Sequence, residues 1–582
     1  EIGLTLIGTY TDETSPYTLY VYQTTSRYRD VDHANLTLEE MKQTTCDMDL
    51  LDAQLTEMKE LAAEAEESGA AEKPERVKEL FGDTQDEIEK LSTCYSLSQI
   101  TYYQNIFDEE NQEIQAELLD DVMDYGDRLN VAIRELCKSP YQDTMIELMN
   151  AEQVEAYLEY EEMTDAEKEL TAKENSLEQE YEQLSSEEFY YEYDGEEWDL
   201  NRLNMEADEM DHDAVVEIYQ GICKQRNDAV GEVFVELVDV RNEIAKLNGY
   251  DNYAEYAYDA VYVRDYTLDE TRDLLKEIRK HVVPVMADMK DVLYDTDYMR
   301  LYSEGQGIES TSIIEQIGPY LEEIDPELKD TQEHFLKYRL YDMDTSQNKA
   351  NTAFTMRLSY FKDGFIYGQM YDNYMDYYNV IHEFGHYNNV YRSADTFFES
   401  SNNIDVSEIH SQGMQMLFYD YYDELLGEDI GDIYAFYDVY SMADNAISTA
   451  LVSEFEIAAY ENPDMTLEEL NKLYLQLSRR YGMQYDSQIK ELYTWSEIPH
   501  IFTSPCYYFS YLTSAFSSLD ILTMAESDRH EAVETYMTLT TIPGYVPYCS
   551  AVEYAGLRDI FEDGVAQDII EETASILGVK GY

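Results

Sequence analysis

Residues 376–393 read DYYNVIHEFGHYNNVYRS, and the segment HEFGH within them decides how the rest of the chain is interpreted. On an α-helix, residues four apart lie on one face, so His382 and His386 can direct both imidazoles at one metal ion. Zinc accepts neutral imidazole nitrogens, and a catalytic zinc site combines three protein ligands with an open position for water. Glu383 is then the candidate general base that takes a proton from the attacking water. The alternative is an ordinary helix with two histidines on its inner face.

A candidate third ligand lies downstream, in NIDVSEIHSQGMQMLFYDYYDEL at residues 403–425. This segment predicts a helix with Asp405 as its N-cap and Glu408 in the first turn, where Glu408 can offer a carboxylate to zinc. A glutamate near a helix start is also a common capping residue, so this assignment depends on the HEFGH context. Glu399 and Asp405 are candidates to accept hydrogen bonds from the imidazole N–H groups. His410 points away from Glu408 on the helix and either lines the substrate cleft or packs inside the protein.

A third segment, WSEIPHIFTSPCYYFSYLTSAFSSL at residues 495–519, offers candidate hydrogen-bond donors. Peptide hydrolysis builds negative charge on a tetrahedral intermediate, and fixed donors aimed at its oxygen stabilise it. Tyr508 and Tyr511 are three residues apart and share a helical face, and His500 comes from the preceding turn. These three are the candidate catalytic donors, whereas Tyr507 either contacts substrate or packs in the core.

The charge of the chain limits its partners. Its 582 residues include 124 acidic and 39 basic side chains, for a formal charge of −85. Such a field repels phosphate backbones and anionic lipid headgroups, so nucleic acid and membrane surfaces are excluded as main partners. No run of 18 apolar residues occurs, so no membrane span is predicted. Because 44% of the residues are hydrophobic, we expect a folded protein with an acidic surface.

The six cysteines form no CxxC pair and no zinc-finger spacing, so they are either three disulfides or six buried thiols. Their even number and a first residue other than methionine favour a processed protein that is extracytoplasmic or secreted. A cytoplasmic location is the alternative.

The hydrophobic pattern predicts a mainly helical fold. After an extended start over the first 30 residues, apolar residues recur every three to four positions. Predicted helices cover residues 36–69, 74–97, 99–138, 142–160 and 164–187. The break at 190–203, with Gly195 in a turn, separates an N-terminal helical region at 1–190 from a catalytic region at 191–582. Two long helices are expected before Asn248-Gly249, and AFTMRLSY with GFIYGQMY, at 353–371, predicts a β-hairpin beside HEFGH.

Together these segments resemble the oligoendopeptidase F and thimet oligopeptidase family of zinc metallopeptidases, and within it the oligoendopeptidase F branch. The family's HExGH motif reads here as His382-Glu383-Phe384-Gly385-His386, and its third-ligand segment reads as Glu408-Ile409-His410-Ser411. Its late histidine followed by a tyrosine-rich helix reads as His500 with Tyr508 and Tyr511. The resemblance extends from about residue 190 to 515, and more weakly to both ends.

The resemblance implies a two-lobed, zincin-like helical body around a deep substrate channel, with a small β-sheet beside the HExxH helix and one zinc ion on the channel floor. Such a channel admits short unfolded peptides and excludes folded proteins. An edge strand formed by Phe365 to Met370, including Tyr367 and Gln369, would hold the substrate backbone by strand addition.

The sequence thus predicts a zinc-dependent endopeptidase for short peptides, with Glu383 as general base. One alternative is a carboxypeptidase or peptidyl-dipeptidase on the same fold. Such an enzyme needs a cation for the terminal carboxylate of its substrate, and the candidates are Arg357, Arg392 and Arg479. The other alternative is a non-catalytic peptide-binding relative, against which the four intact zinc-site and general-base positions argue.

Overall fold

The computed structural model describes residues 4–11, 18–24, 31–149, 151–159, 163–207, 210–305, 308–393, 403–485 and 489–582. Within these ranges the protein is mostly helical with three small β-sheets, which confirms the predicted fold class. The chain forms two compact units of three segments each. Unit 1 comprises residues 1–161, 299–402 and 533–545, and unit 2 comprises 162–298, 403–532 and 546–582.

Unit 1 begins with the antiparallel strands Leu4–Thr11 and Thr18–Thr24. Its helices are Leu38–Met41, Met48–Ser68, Pro74–Gln104, Glu109–Lys138, Gln142–Leu148, Ala151–Glu159, Arg300–Ser303, Ser310–Ile324, Pro326–Tyr338 and Met375–Ser393. The helix Arg529–Leu539 lies partly in this unit.

The start and end of the second of these helices follow from local sequence. The Asp47 side chain accepts a hydrogen bond from the backbone N–H of Leu50 and so caps the first turn of Met48–Ser68. Gly69 ends the helix in the left-handed conformation, at φ +69°, which a residue without Cβ adopts at little cost. Leu51, Leu55 and Met58 then face one side of the helix and join the buried core of this region.

A three-stranded sheet of unit 1 positions the HEFGH helix. The strands Ala353–Leu358 and Asp363–Gly368 pair antiparallel, with Met356 opposite Phe365, which confirms the predicted hairpin. They are joined by the 3₁₀ turn Ser359–Phe361. The short strand Tyr341–Asp342 pairs parallel with Asp363–Gly368 on its other side, so Asp363–Gly368 is the central strand.

Unit 2 is also helical. Its α-helices are Asp165–Ser185, Leu200–Glu206, His212–Leu247, Tyr253–Tyr256, Leu268–Glu277, Val283–Tyr294, Ile404–Phe418, Tyr422–Leu426, Glu428–Glu461, Leu467–Arg480, His500–Thr503, Phe509–Ser527, Tyr548–Ala555 and Val565–Ile576. The π-helical turns are Ala257–Val261 and Ile278–Val282, and the 3₁₀ turns are Tyr419–Tyr421 and Thr494–Glu497. The predicted break after residue 190 holds a hairpin, Tyr191–Tyr193 with Glu196–Trp198, and Gly195 turns it at φ +82°.

The prediction of two long helices before Asn248-Gly249 is wrong, because His212–Leu247 is one continuous helix of 36 residues. Gly221 lies inside it, where a Cβ atom would come within 2.2 Å of the Tyr191 ring. This glycine therefore allows close packing and does not end a helix. The predicted end is confirmed, with Asn248 as the C-cap and Gly249 at φ +90°.

The six cysteines lie in the described ranges and are free thiols, but the alternative of six buried thiols is only partly met, because Cys46, Cys94 and Cys549 are half-buried. Three of them, Cys137, Cys223 and Cys506, are fully buried. Of the helices in the described ranges, none combines the length and the apolar character needed to cross a membrane.

Candidate active site

The two motif histidines lie on the helix Met375–Ser393 of unit 1, here named the histidine helix. The Asn373 side chain accepts a hydrogen bond from the Met375 N–H at 2.8 Å and helps to start the helix. His382 and His386 are both half-buried, and their ring centroids are 5.1 Å apart at an interplanar angle of 82°. The predicted shared face of the two imidazoles is therefore present.

The histidine helix is anchored to the sheet through the buried carboxylate of Asp363. The Tyr387 hydroxyl donates to Asp363 at 2.8 Å, and His334 Nε2 lies 2.7 Å from the other oxygen of the same carboxylate. Asp363 is the first residue of the central strand, so helix and sheet are joined one residue beyond His386. Burial of Tyr387, followed by the charge of Asp363, raises the pKa of its hydroxyl well above the usual value, so it stays a donor.

The candidate general base has a partner that the sequence analysis missed. The Thr355 hydroxyl lies 2.8 Å from Glu383 Oε2 and 2.9 Å from the Glu383 carbonyl oxygen, and it can donate to one of them at a time. Glu383 is only 5% exposed, so this hydroxyl orients a carboxylate that is largely withdrawn from solvent. No motif marks Thr355, because the contact depends on how the strand Ala353–Leu358 packs against the histidine helix.

The expected edge strand is wrong. Asp363–Gly368 is paired on both sides, and Phe365 and Tyr367 are 1% and 0% exposed. The Tyr367 hydroxyl lies 2.7 Å from the backbone oxygen of Tyr103 and 3.0 Å from that of Ala350, and it can donate to one of them at a time. Phe365 and Tyr367 thus have no surface to offer a substrate, and the strand Ala353–Leu358 is the longer outer strand of this sheet. The reason is tertiary, since the strand that covers the expected edge lies more than 20 residues upstream.

Gln369, the third residue expected to bind substrate through this strand, also has a structural partner. Its side-chain oxygen accepts a hydrogen bond from the Ser346 backbone N–H at 3.2 Å. The side chain is half-buried and ties the end of the strand to the loop before the hairpin.

In unit 2, Glu408 lies on the helix Ile404–Phe418, here named the carboxylate helix. The predicted N-cap Asp405 is wrong by two residues, because the Asn403 side chain accepts from the Asp405 N–H at the helix start. The Ser411 hydroxyl lies 2.9 Å from Glu408 Oε2 and orients this half-buried carboxylate. The i, i+3 spacing of Glu408 and Ser411 is a signal that the sequence already contained. His410 is buried, at 8% exposure.

Asp405 does not have the predicted role of imidazole partner. Its two oxygens accept hydrogen bonds from Arg264, Tyr266 and Ser510, all within unit 2. Glu399, the other candidate for that role, lies outside the described residues.

The three candidate donors, His500, Tyr508 and Tyr511, form one cluster with Tyr507 in unit 2. His500 lies 5.6 Å from Tyr507, 5.0 Å from Tyr508 and 6.2 Å from Tyr511, measured between ring centroids. Tyr508 precedes the helix Phe509–Ser527, here named the tyrosine helix, and Tyr511 lies in its first turn. The rings that the sequence analysis grouped together are therefore neighbours in unit 2.

The protonation of this cluster suits hydrogen-bond donation. Burial raises the pKa of Tyr507, Tyr508 and Tyr511, and the charge of Glu408 adds to the rise for Tyr507 and Tyr511. These hydroxyls thus keep their protons at neutral pH. Burial lowers the pKa of His500, which keeps its imidazole neutral, and its buried Nδ1 has no hydrogen-bond partner among the described residues.

The three arginines considered for binding a terminal carboxylate have partners of their own. Arg392 pairs with Glu327 at 2.8 Å and donates to Asn388 at 3.0 Å. Arg357 donates to the Ser393 hydroxyl, and Arg479 donates to the carbonyl of Ile489. These contacts give the carboxypeptidase alternative no support.

Comparisons with known proteins support the fold. No family model matches this chain, and no curated protein sequence matches it. A solved structure of PZ peptidase A with an inhibitor is 23% identical, has a TM-score of 0.73, and aligns over 91% of this chain and 97% of its own. A structure assigned as an oligoendopeptidase F is also 23% identical, with a TM-score of 0.72 and coverage of 94% and 99%. Another with the same assignment, from Bacillus anthracis, is 21% identical, with a TM-score of 0.68 and coverage of 96% and 99%. These structures confirm the oligoendopeptidase F resemblance at the level of the fold.

Proposed function

We propose that this protein is a zinc-dependent endopeptidase that hydrolyses short, unfolded peptides. The observation that carries the proposal is the histidine helix, which presents His382 and His386 with ring centroids 5.1 Å apart beside the largely buried carboxylate of Glu383. The structures that share the fold carry peptidase names, and this supports the reaction class.

The metal would be held by His382, His386 and Glu408, which offer two imidazoles and one carboxylate. This donor set fits a catalytic zinc site, because three protein ligands leave a position for water. When bound, zinc lowers the pKa of water and polarises a carbonyl oxygen. The donor set therefore fits the ion that the HEFGH motif predicts.

The protein's own groups then divide the proton transfers. Glu383 takes the proton of the attacking water as general base and returns it to the leaving amine. Thr355 keeps the Glu383 carboxylate in one orientation through its 2.8 Å contact. Proton transfer needs heavy atoms within hydrogen-bond reach, so a fixed carboxylate raises the fraction of bound substrate that is ready to react.

The aromatic cluster would stabilise the negative oxygen that forms during hydrolysis. Tyr508 and Tyr511 are the proposed hydroxyl donors, and His500 is the proposed N–H donor. Burial raises the pKa of Tyr508 and Tyr511, so both hydroxyls keep the proton that a donor needs. Tyr507 stacks on His500 and supports that ring.

Substrates would bind mainly through their backbone. Ala353–Leu358 is the outer strand that can accept an added strand, and main-chain hydrogen bonds discriminate little between side chains. The formal charge of −85 favours peptides with basic residues through the field alone.

The experiment uses the purified full chain and an internally quenched peptide blocked at both ends. We expect about one zinc per chain and cleavage of this peptide, because three ligands define one site and an endopeptidase needs no free terminus. Glu383→Gln should keep the zinc and lose turnover. Glu333→Gln, which changes an exposed glutamate of unit 1, is the matched control and should keep both. An unchanged rate for Glu383→Gln would exclude the mechanism, and cleavage of peptides only when the C-terminus is free would favour the carboxypeptidase alternative.

A further inference from the structure

The segment that carries the aromatic donors is held in an unusual backbone conformation. Within residues 504–508, here named the tyrosine loop, Cys506 has φ +63° although it is not glycine. Val263, a β-branched residue that follows the loop's hydrogen-bond partner Tyr262, has φ +48°. Both conformations cost free energy and persist only where the surroundings over-determine them.

Three side chains, the half-buried Tyr262 and the buried Arg264 and Glu456, hold three successive polar atoms of the tyrosine loop. The Tyr262 hydroxyl donates to the Pro505 carbonyl at 2.9 Å. The Cys506 N–H donates to Glu456 at 2.9 Å, and Arg264 donates to the Cys506 carbonyl at 3.2 Å. The backbone of the tyrosine loop is therefore held in place by side-chain hydrogen bonds at residues 505 and 506.

Arg264 also holds the carboxylate helix. Its Nε and Nη2 donate to the two oxygens of Asp405, each at 3.1 Å, and Nη2 lies 3.2 Å from the Ser510 hydroxyl. Asp405 precedes Glu408 by one helical turn, and Ser510 lies in the first turn of the tyrosine helix. One guanidinium thus joins the helix of the proposed zinc ligand to the segment of the proposed oxyanion donors.

The pair is isolated from water. The side chain of Arg264 is 0% exposed and that of Asp405 is 4% exposed. Burial alone lowers the pKa of Arg264, but the facing Asp405 carboxylate outweighs it and holds the pKa well above the usual value, so the guanidinium stays charged. A buried ion pair adds little net stability compared with well-packed apolar residues, whereas its geometry is strict. We therefore expect the Arg264–Asp405 pair to position the elements that it joins more than to stabilise the fold.

We propose that Arg264 is a positioning residue, which together with Asp405 sets the placement of Glu408 relative to Tyr508 and Tyr511. This inference rests on the proposed function. Lysine has a shorter side chain with a single ammonium group. It cannot donate to both Asp405 oxygens, as Nε and Nη2 of Arg264 do, and also reach the Cys506 carbonyl.

The first test is Arg264→Lys in the full chain. We expect kcat to fall on the order of 10-fold to 100-fold, because displacements of about 1 Å have effects of that size. KM and the zinc content should stay close to those of the wild-type protein. The matched control is Arg558→Lys, since Arg558 also pairs with a buried aspartate, Asp520, of the tyrosine helix. Asp520 follows Tyr508 by 12 residues, about 18 Å along a helix, so this variant should keep the wild-type kcat.

The second test separates positioning from a merely structural role. In a background that carries both Tyr508→Phe and Tyr511→Phe, adding Arg264→Lys should lower kcat less than about threefold, because the two hydroxyls whose position relative to Glu408 depends on Arg264 are already gone. An equal loss of kcat in both backgrounds, or a kcat for Arg264→Lys alone within about twofold of wild type, would overturn the proposal.

Ser510→Ala decides the question if Arg264→Lys does not fold. It removes one hydroxyl that contacts both Arg264 and Asp405, at a helical position where alanine is favourable. We expect kcat to fall about threefold to tenfold, and an unchanged kcat would refute the inference. If instead the wild-type chain shows no metal-dependent cleavage, or Glu383→Gln keeps full activity, it is the proposed function that fails.

Discussion

Thr355→Val should impair catalysis while leaving the metal site intact. The substitution keeps the shape of the side chain and removes the hydroxyl that lies 2.8 Å from Glu383 Oε2. Without this donor, the Glu383 carboxylate can rotate away from the position needed to take a proton from water. The substitution changes none of the three proposed zinc ligands, His382, His386 and Glu408, so zinc binding should persist.

The size of the effect follows from one hydrogen bond. A hydrogen bond to a charged group contributes about 1.5 to 3 kcal/mol, and about 1.4 kcal/mol corresponds to a tenfold change in rate. Glu383 is 5% exposed and Thr355 is half-buried, so water can restore only part of the lost contact. We therefore expect kcat to fall by about tenfold or somewhat more.

The assay is steady-state cleavage of the blocked, internally quenched peptide, with zinc content measured on the same samples. Thr355→Ser is the matched control, because it keeps the hydroxyl, and its kcat should stay within about threefold of wild type. If Thr355→Val keeps the wild-type kcat with full zinc occupancy, the hydroxyl does not orient the general base and this reasoning is refuted.

Three further predictions concern metal, pH and packing. Dialysis against a chelator should abolish peptide cleavage, and added zinc should restore it, as followed by activity and metal content. Burial raises the pKa of Glu456 from 4.5 to about 7, so the folded state binds this proton more tightly than the unfolded state. The free energy of unfolding should therefore fall as the pH rises from 4.5 to about 7. Glu456→Gln should remove about 3 kcal/mol of this pH-dependent fall, measured by urea unfolding at about pH 5 and pH 8. A decline identical to wild type would contradict this. Gly221→Ala should lower the free energy of unfolding, measured with urea, by about 1–3 kcal/mol, because its Cβ would meet the Tyr191 ring at 2.2 Å. In the same assay the control Gly126→Ala, with open space around its Cβ, should be neutral or stabilising.

Much of the candidate site could be predicted because its signals are local. His382 and His386 share a face through the helical period alone, and the same period places Tyr511 beside Tyr508. The strand-type pattern of AFTMRLSY and GFIYGQMY was enough to predict the hairpin before the motif. The N-cap of the carboxylate helix was misplaced because Asn403 and Asp405 are both good capping residues, and burial of Asp405 against Arg264 decided between them.

By itself, the sequence determined the helical fold class, the zinc-type motif and the order of the candidate site segments, since each depends on periodicity and residue chemistry within one short segment. Only the tertiary structure decided which strand is the outer one, because Tyr341–Asp342 covers Asp363–Gly368 from a distant part of the chain. It also decided the partners that orient the chemistry: Thr355 lies 28 residues before Glu383, and Arg264 lies 141 residues before Asp405. Contacts at such separations depend on how whole elements pack, and no local pattern of residues encodes that packing.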